Sequence, residues 1–397
     1  MKLGTFYEHQ LPRPWKEGAE LKLFQDALDQ VELADRVGMD HMWEVEHHFL
    51  EEYAHSSAPE IFLAAASQRT RQIRLGHGIV LLPPGYNHPA RVAERIATLD
   101  LVSGGRVEFG TGESSAELEL GGFCIPRADK RAMWQESLGA IARMFVEEPF
   151  LGHEGQYFKM PVRNVVPKPV QKPHPPLWVA CSRRETIHLA AKLGIGALTF
   201  AFVSPEEARE WVNDYYTTLE NECEPIGYAV NANIAIVTGF MCDNDAERAR
   251  KMGEEGLKFF GYALGHHYAF GRHEPGKTNI WNNFKASPMN LPGLDGTTSC
   301  VGSPDQIRTR LGEFEKAGVD QVVFISQAGN NKHEDICSSL SLFAEKVLPE
   351  FKEREQKRAA QKAERMAPIV EKAMKRKPEP KIPKSDGPVV VQAGMLV

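Results

Sequence analysis

Short apolar runs alternate with longer amphipathic stretches from the first residues to about residue 350. The runs are rich in β-branched and aromatic side chains, and they predict strands over 2–7, 41–45, 73–82, 106–111, 177–180, 197–201, 234–241 and 321–326. Between them a 3.6-residue period predicts helices over 21–37, 58–68, 89–101, 130–145, 184–193, 205–219, 246–260, 304–317 and 333–347. Ser204 and Ser303 each stand before a proline, the arrangement of an N-cap followed by proline at the first helical position.

Strand and helix in strict alternation imply a parallel sheet. Eight pairs fit a single closed (β/α)8 barrel of the TIM type better than an open doubly wound sheet. No GxGxxG stands at a strand-to-helix turn, which weakens the open alternative. The expected organisation is a barrel over 1–350 and a basic tail over 351–397. Residues 261–300, rich in Gly, His, Asn and Pro, are too long for an ordinary connection and are read as an inserted lid loop. The tail, rich in Lys and Arg, reads as a solvated helix running into a disordered end outside the barrel.

Charge and cysteine usage narrow the function classes. A net charge of -6 over 397 residues gives no electrostatic reason to expect nucleic acid or an anionic membrane as partner. The amino terminus has no apolar run, and no stretch approaches the roughly 20 apolar residues that span a bilayer, so a cytoplasmic protein is expected. The six cysteines are scattered without a CxxC pair, which argues against a disulfide framework and a structural zinc site; no metal is expected.

The chemistry-bearing segment is 43–49, Trp-Glu-Val-Glu-His-His-Phe, at the predicted carboxyl end of the second strand. In a barrel that end faces the active site. Successive side chains of an extended segment point to opposite faces, so one of His47 and His48 is expected to enter the pocket. Further on, 175–186 reads as a buried strand running into a helix amino terminus with Ser182, Arg183 and Thr186 at the junction, a good place for a phosphate.

Taken together, Glu46-His47-His48-Phe49, the run LGHGIVLLP over 75–83, His88-Pro89, and LDLVSGGRVEFGTG over 99–112 resemble the bacterial luciferase-like flavin-dependent monooxygenases. The resemblance implies an FMN-binding enzyme in which His47 is the catalytic residue. It places Gly78 and Ile79 under the flavin ring, at a non-proline cis peptide in the family, and Ser182, Arg183 and Thr186 on the FMN phosphate. A cysteine known in luciferases falls at Gly112 here, which argues against light emission. His266, His267, Tyr268 and Phe270 are lid candidates for contact with substrate.

The implied activity uses reduced FMN, supplied by a diffusible reductase, and dioxygen to oxygenate a small organic substrate, in a homo-oligomer. Two alternatives stand beside it: a deazaflavin (F420)-dependent dehydrogenase on the same fold, and a non-catalytic flavin-binding protein.

Overall fold

The computed structural model describes residues 1–200, 202–287 and 299–383. Its barrel strands are β1 (Lys2–Tyr7), β2 (His41–Glu44), β3 (Arg74–His77), β4 (Val107–Gly112), β5 (Leu177–Cys181), β6 (Gly196–Thr199), β7 (Ile234–Cys242) and β8 (Gln321–Ile325), and the short runs Val80–Leu81 and Cys300–Gly302 extend the same sheet. Each strand pairs in parallel with the next, and β8 pairs with both β7 and β1, so that Gln321 lies opposite Ala235 on one side and Lys2 on the other. The sheet is therefore the closed (β/α)8 barrel that the periodicity predicts.

The outer layer follows in order: α1 (Ala19–Val37), α2 (Pro59–Arg69), α3 (Pro89–Ser103), α4 (Glu117–Gly122), α5 (Lys130–Val146), α6 (Arg184–Lys192), α7 (Pro205–Glu222), α8 (Ala246–Gly265), α9 (Ile280–Ala286), α10 (Pro304–Ala317), α11 (His333–Lys346) and α12 (Leu348–Met374). Local chemistry sets several starts. Ser204 accepts from the Glu207 amide, and Ser303 forms a reciprocal capping box with Gln306.

Two apolar layers hold the barrel. The larger lies between sheet and helices, and the smaller fills the interior with Phe6, Trp43, Trp178, Leu198, Val237, Val323 and Ile325. Trp43 and Trp178 meet edge to face, ring centres 5.4 Å apart. They fit because neighbouring strands carry glycine: a Cβ at Gly76 would lie 2.3 Å from the Trp43 ring, and one at Gly196 would lie 2.3 Å from the Trp178 ring.

Some expectations change. The strand expected over 73–82 divides into β3 and a short run, Val80–Leu81, that pairs with β4. At the break the Gly78 amide donates to the Glu44 carbonyl at 2.7 Å. The peptide between Gly78 and Ile79 is trans; among the described residues every cis bond precedes a proline, where the cis form is far less costly. Part of the expected lid loop is helical: α8 runs on to Gly265, a π-turn spans His266–Phe270, and α9 follows. Its residues 288–298 lie outside the described residues, as do Ala201 of the sixth predicted strand and 384–397 of the tail.

The basic segment after 350 is not a solvated arm. It forms α12, which packs against α11, α7 and β1 with Phe351, Met366 and Ala373 buried. Its cations reach the amino-terminal floor of the barrel: Lys362 lies 2.7 Å from Asp320 and Lys352 lies 2.6 Å from Asp40. The apolar residues of this helix are few but fall on one face, so the charged remainder stays in water while the stripe is buried. All six cysteines are free, and no described helix is long and apolar enough to cross a membrane.

Phe351 is fully buried. Phe351→Ala is expected to cost about 3–5 kcal/mol of stability, seen as a lower denaturation midpoint at unchanged m-value in urea unfolding.

Candidate active site

At the carboxyl ends of the strands lies a cavity of about 550 Å³. Of the residues singled out in the sequence, His47, Gly78, Ile79, Ser182, Arg183, Thr186 and Tyr268 line it, whereas His266, His267 and Phe270 do not. Glu8, Tyr53, Glu113, Arg127, Lys130 and Arg131 also line it, none of them singled out beforehand.

His47 stands three residues beyond the end of β2, its amide donating to the Ser56 carbonyl at 2.8 Å. Its ring enters the cavity while His48 turns away, with Nε2 3.1 Å from Glu46 Oε1. Glu46 ties the ends of neighbouring strands together, accepting from the Leu81 amide at 2.8 Å and from Asn87 Nδ2 at 2.9 Å.

Carboxylates flank the His47 ring on both sides. Nδ1 lies 2.9 Å from Glu119 Oε1, and Nε2 lies 3.5 Å from Glu8 Oε2. Glu119, buried on α4, also accepts from the His48 amide at 3.0 Å and from the Ser114 hydroxyl. The Tyr53 hydroxyl donates to Glu8 at 2.8 Å. Tyr53 and Tyr268 complete the surround, their ring centres 5.6 and 6.3 Å from that of His47.

This arrangement sets the proton inventory. Burial works against a charged His47, but Glu119 and then Glu8 outweigh it and raise its pKa to about 9. Burial lifts the Glu8 carboxyl to about 7 despite the opposing pull of His47. Glu119 is held below its ordinary value: burial raises it, and the His47 charge and hydrogen bond overcome that. Near neutral pH the site therefore holds an imidazolium between an ionised carboxylate and one near half-protonation.

Away from His47 the lining is basic. Ser182 and Arg183 precede α6, and Thr186 lies in its first turn, so the helix amino terminus opens toward the cavity. Lys130 and Arg131, on α5, both pair with Glu113, at 2.8 and 2.7 Å. Arg127, Lys130, Arg131 and Arg183 thus stand against one nearby lining carboxylate, Glu113. Arg184 points elsewhere, bound to Asp214. The remaining wall is apolar, with Phe200, Phe202, Val237, Phe260, Leu264 and Ile325. Gly112 is occupied by its neighbour: any Cβ there would come within 2.5 Å of Ile79 Cδ1.

The segment after α8 is strapped to the loop between β2 and α2. His267 Nε2 donates to the Glu51 carbonyl at 3.1 Å, the Gly276 amide to Glu51 Oε1 at 2.8 Å, and the Trp281 amide to Glu52 Oε2 at 3.1 Å. Tyr268 enters the cavity from this strap, while Phe270 is 42% exposed.

Comparisons with known proteins bear on the family and the fold. The family described as luciferase-like monooxygenase matches residues 1–321. The oxygenase component of flavin-dependent trigonelline monooxygenase from Acinetobacter baylyi is 24% identical over 345 residues, 84% of this chain and 91% of that protein. The crystal structure of monooxygenase RslO1 from Streptomyces bottropensis superposes with a TM-score of 0.73 at 26% identity, covering 88% of this chain and all of that one. An F420-dependent secondary alcohol dehydrogenase shares the fold, with a TM-score of 0.67 at 19% identity over 87% of this chain and 98% of that one.

The flanking carboxylates make His47 testable by titration. Its imidazole is expected to titrate near 9 by NMR, and Glu119→Gln to lower that value by about 1–3 pH units. Since the folded pKa lies above an unfolded value of about 6.5, the stabilisation from His47 is fully present below that pH and is lost as pH rises through about 9. In Glu119→Gln this loss of stability between neutral and alkaline pH becomes smaller.

Proposed function

The chain belongs to the luciferase-like monooxygenase family, and from that premise we propose a flavin-dependent monooxygenase that takes reduced FMN from a separate reductase and uses dioxygen to oxygenate a small organic substrate. The observation that carries this reading is the make-up of the cavity: His47 between two carboxylates, a helix amino terminus with Arg183 and Arg131, and an apolar wall. A volume of about 550 Å³ falls within the range of small-molecule sites.

The residues present fit a flavin mononucleotide. Ser182, Arg183 and Thr186 supply amide, hydroxyl and guanidinium donors to a phosphate dianion. Arg131 lies near enough to Glu185 to feel its charge, which puts a second cation by the same helix terminus. Gly78 and Ile79 offer backbone and an apolar surface against which a planar ring system packs. When bound, reduced FMN supplies the electrons that activate dioxygen.

The side chains then have separate tasks. His47 holds a proton at Nε2 more loosely than at Nδ1, since the Glu8 oxygen is 3.5 Å away and the Glu119 oxygen 2.9 Å. The Nε2 proton is therefore the one it gives to a developing negative oxygen in the cavity. Glu8, with a pKa of about 7 and the Tyr53 hydroxyl behind it, returns the proton. Glu119 keeps the ring oriented and charged. Phe200, Phe202, Phe260 and Leu264 exclude water and favour an apolar substrate.

A relative that is the oxygenase component of a larger system supports a separate reductase for this chain. The same fold also serves an F420-dependent dehydrogenase, and hydride transfer to or from a deazaflavin is the second reading.

Reoxidation of reduced FMN by dioxygen, followed by flavin absorbance, separates these readings. Wild-type protein is expected to bind reduced FMN and to change its reoxidation kinetics. His47→Ala is expected to retain binding while substrate oxygenation falls by about 10²–10⁴-fold. Failure to bind reduced FMN, together with tight binding of F420, would replace the first reading by the second.

A further inference from the structure

Outside the cavity, the strap between α8 and α9 gathers three histidines from one short stretch. His266 and His267 begin the π-turn and His273 follows it, and one ring nitrogen from each lies within 4.8 Å of the other two. His266 Nε2 and His273 Nδ1 stand 3.4 Å apart. Nitrogens about 2.0–2.1 Å from a tetrahedral ion are separated by about 3.3 Å from one another, so this pair has the spacing of two ligands on one ion.

Of the other ring nitrogens, His267 Nε2 is committed to the loop between β2 and α2. A carbonyl only accepts, so the 3.1 Å contact of His267 Nε2 with the Glu51 carbonyl puts the proton on Nε2 and leaves Nδ1 bare. That Nδ1 is buried without a hydrogen-bond partner. His273 is only 6% exposed, and its Nε2, likewise buried without a hydrogen bond, lies 3.9 Å from Glu51 Oε1. Glu51 therefore stands behind two of the three rings, with its backbone on one and its carboxylate on the other. An outer hydrogen bond fixes the tautomer and aim of a metal-ligating histidine, and the Glu51 carbonyl supplies one to His267. Glu51 is itself held by Arg13 Nη2 at 2.7 Å.

We propose that His266, His267 and His273 form a three-histidine site for a divalent transition metal of the zinc type, which cross-links the strap to itself around the turn that carries Tyr268. Three imidazoles suit zinc, cobalt or nickel; magnesium and calcium require oxygen ligands. Water fills the fourth position. The site is independent of the cofactor reading above, since none of its ligands lines the cavity.

The test uses the full chain, stripped with a chelator and titrated with Co(II), then with zinc in competition. The expected result is one equivalent of Co(II) with the visible spectrum of a tetrahedral site, displaced by one equivalent of zinc. His273→Ala is expected to lose the band and retain no zinc through gel filtration. Folding of each variant is checked by its metal-free melting temperature; if His273→Ala melts early, His266→Asn carries the same expectation. In the wild type, zinc is expected to slow amide hydrogen exchange over 262–273. The proposal is overturned if the wild type takes up no metal at micromolar concentration, or if the folded variants bind it as tightly as the wild type.

Discussion

Closure of the parallel sheet, made by β8 pairing at once with β7 and β1, gives every barrel strand two neighbours and turns all eight carboxyl ends to one side. The polar groups of each strand are satisfied within the barrel, which frees the loops beyond those ends to carry chemistry. Glu8 follows β1, Glu46 and His47 follow β2, Gly78 and Ile79 follow β3, Glu113 follows β4, and Ser182 and Arg183 follow β5. Closure alone brings them to one mouth. The interior layer built on Trp43 and Trp178 supports that mouth from below.

Buried carboxylates give the site its character. Glu8, Glu44, Glu46 and Glu119 are all buried, and a buried carboxylate is tolerated only with partners. Glu44 meets His9 at 2.8 Å, Glu46 meets an amide, Asn87 and His48, and Glu119 meets His47 and Ser114. Glu8 has the Tyr53 hydroxyl and a longer contact to His47, which is why burial lifts its pKa while Glu119 stays low. The imidazolium is thus a product of its neighbours. Removing Glu119 also leaves the His48 amide and the Ser114 hydroxyl without their acceptor, and removing Glu8 does the same to the Tyr53 hydroxyl.

Glu51 and Glu52 extend the same logic to the inserted segment. They occupy consecutive positions in the loop between β2 and α2, and between them they receive amides from Gly276, Ile280 and Trp281. The strap is tied down by charge-assisted hydrogen bonds to the loop that follows His47 in sequence. Tyr268 joins the strap to the His47 surround, its ring meeting those of His47 and Tyr53 edge to face.

Much of this was legible in the chain, because strand and helix are dictated by period-2 and period-3.6 patterns that act within a dozen residues. The barrel order, the Ser-Pro helix starts and the placement of the His47-His48 pair and of Ser182 and Arg183 at strand ends follow from such local signals, whereas the choice of His47 and of Gly78 comes from the family resemblance. Glu8 could have been found by its place just past the first strand. Tyr53 and Glu119 could not: they lie in irregular or short elements, and Glu119 reaches His47 across 72 positions of chain. The same holds for α12, whose sparse apolar stripe reads as solvated until Phe351 and Met366 have a floor to bury against. It holds too for His266, His267 and His273, whose spacing fits no familiar ligand motif and whose ring nitrogens converge only after a π-turn folds them over Glu51. The sequence by itself determined the alternation of the barrel strands with their main helices, since backbone preference and side-chain period are local. The tertiary structure alone decided which charges face one another, because that depends on distances that close only when the barrel does.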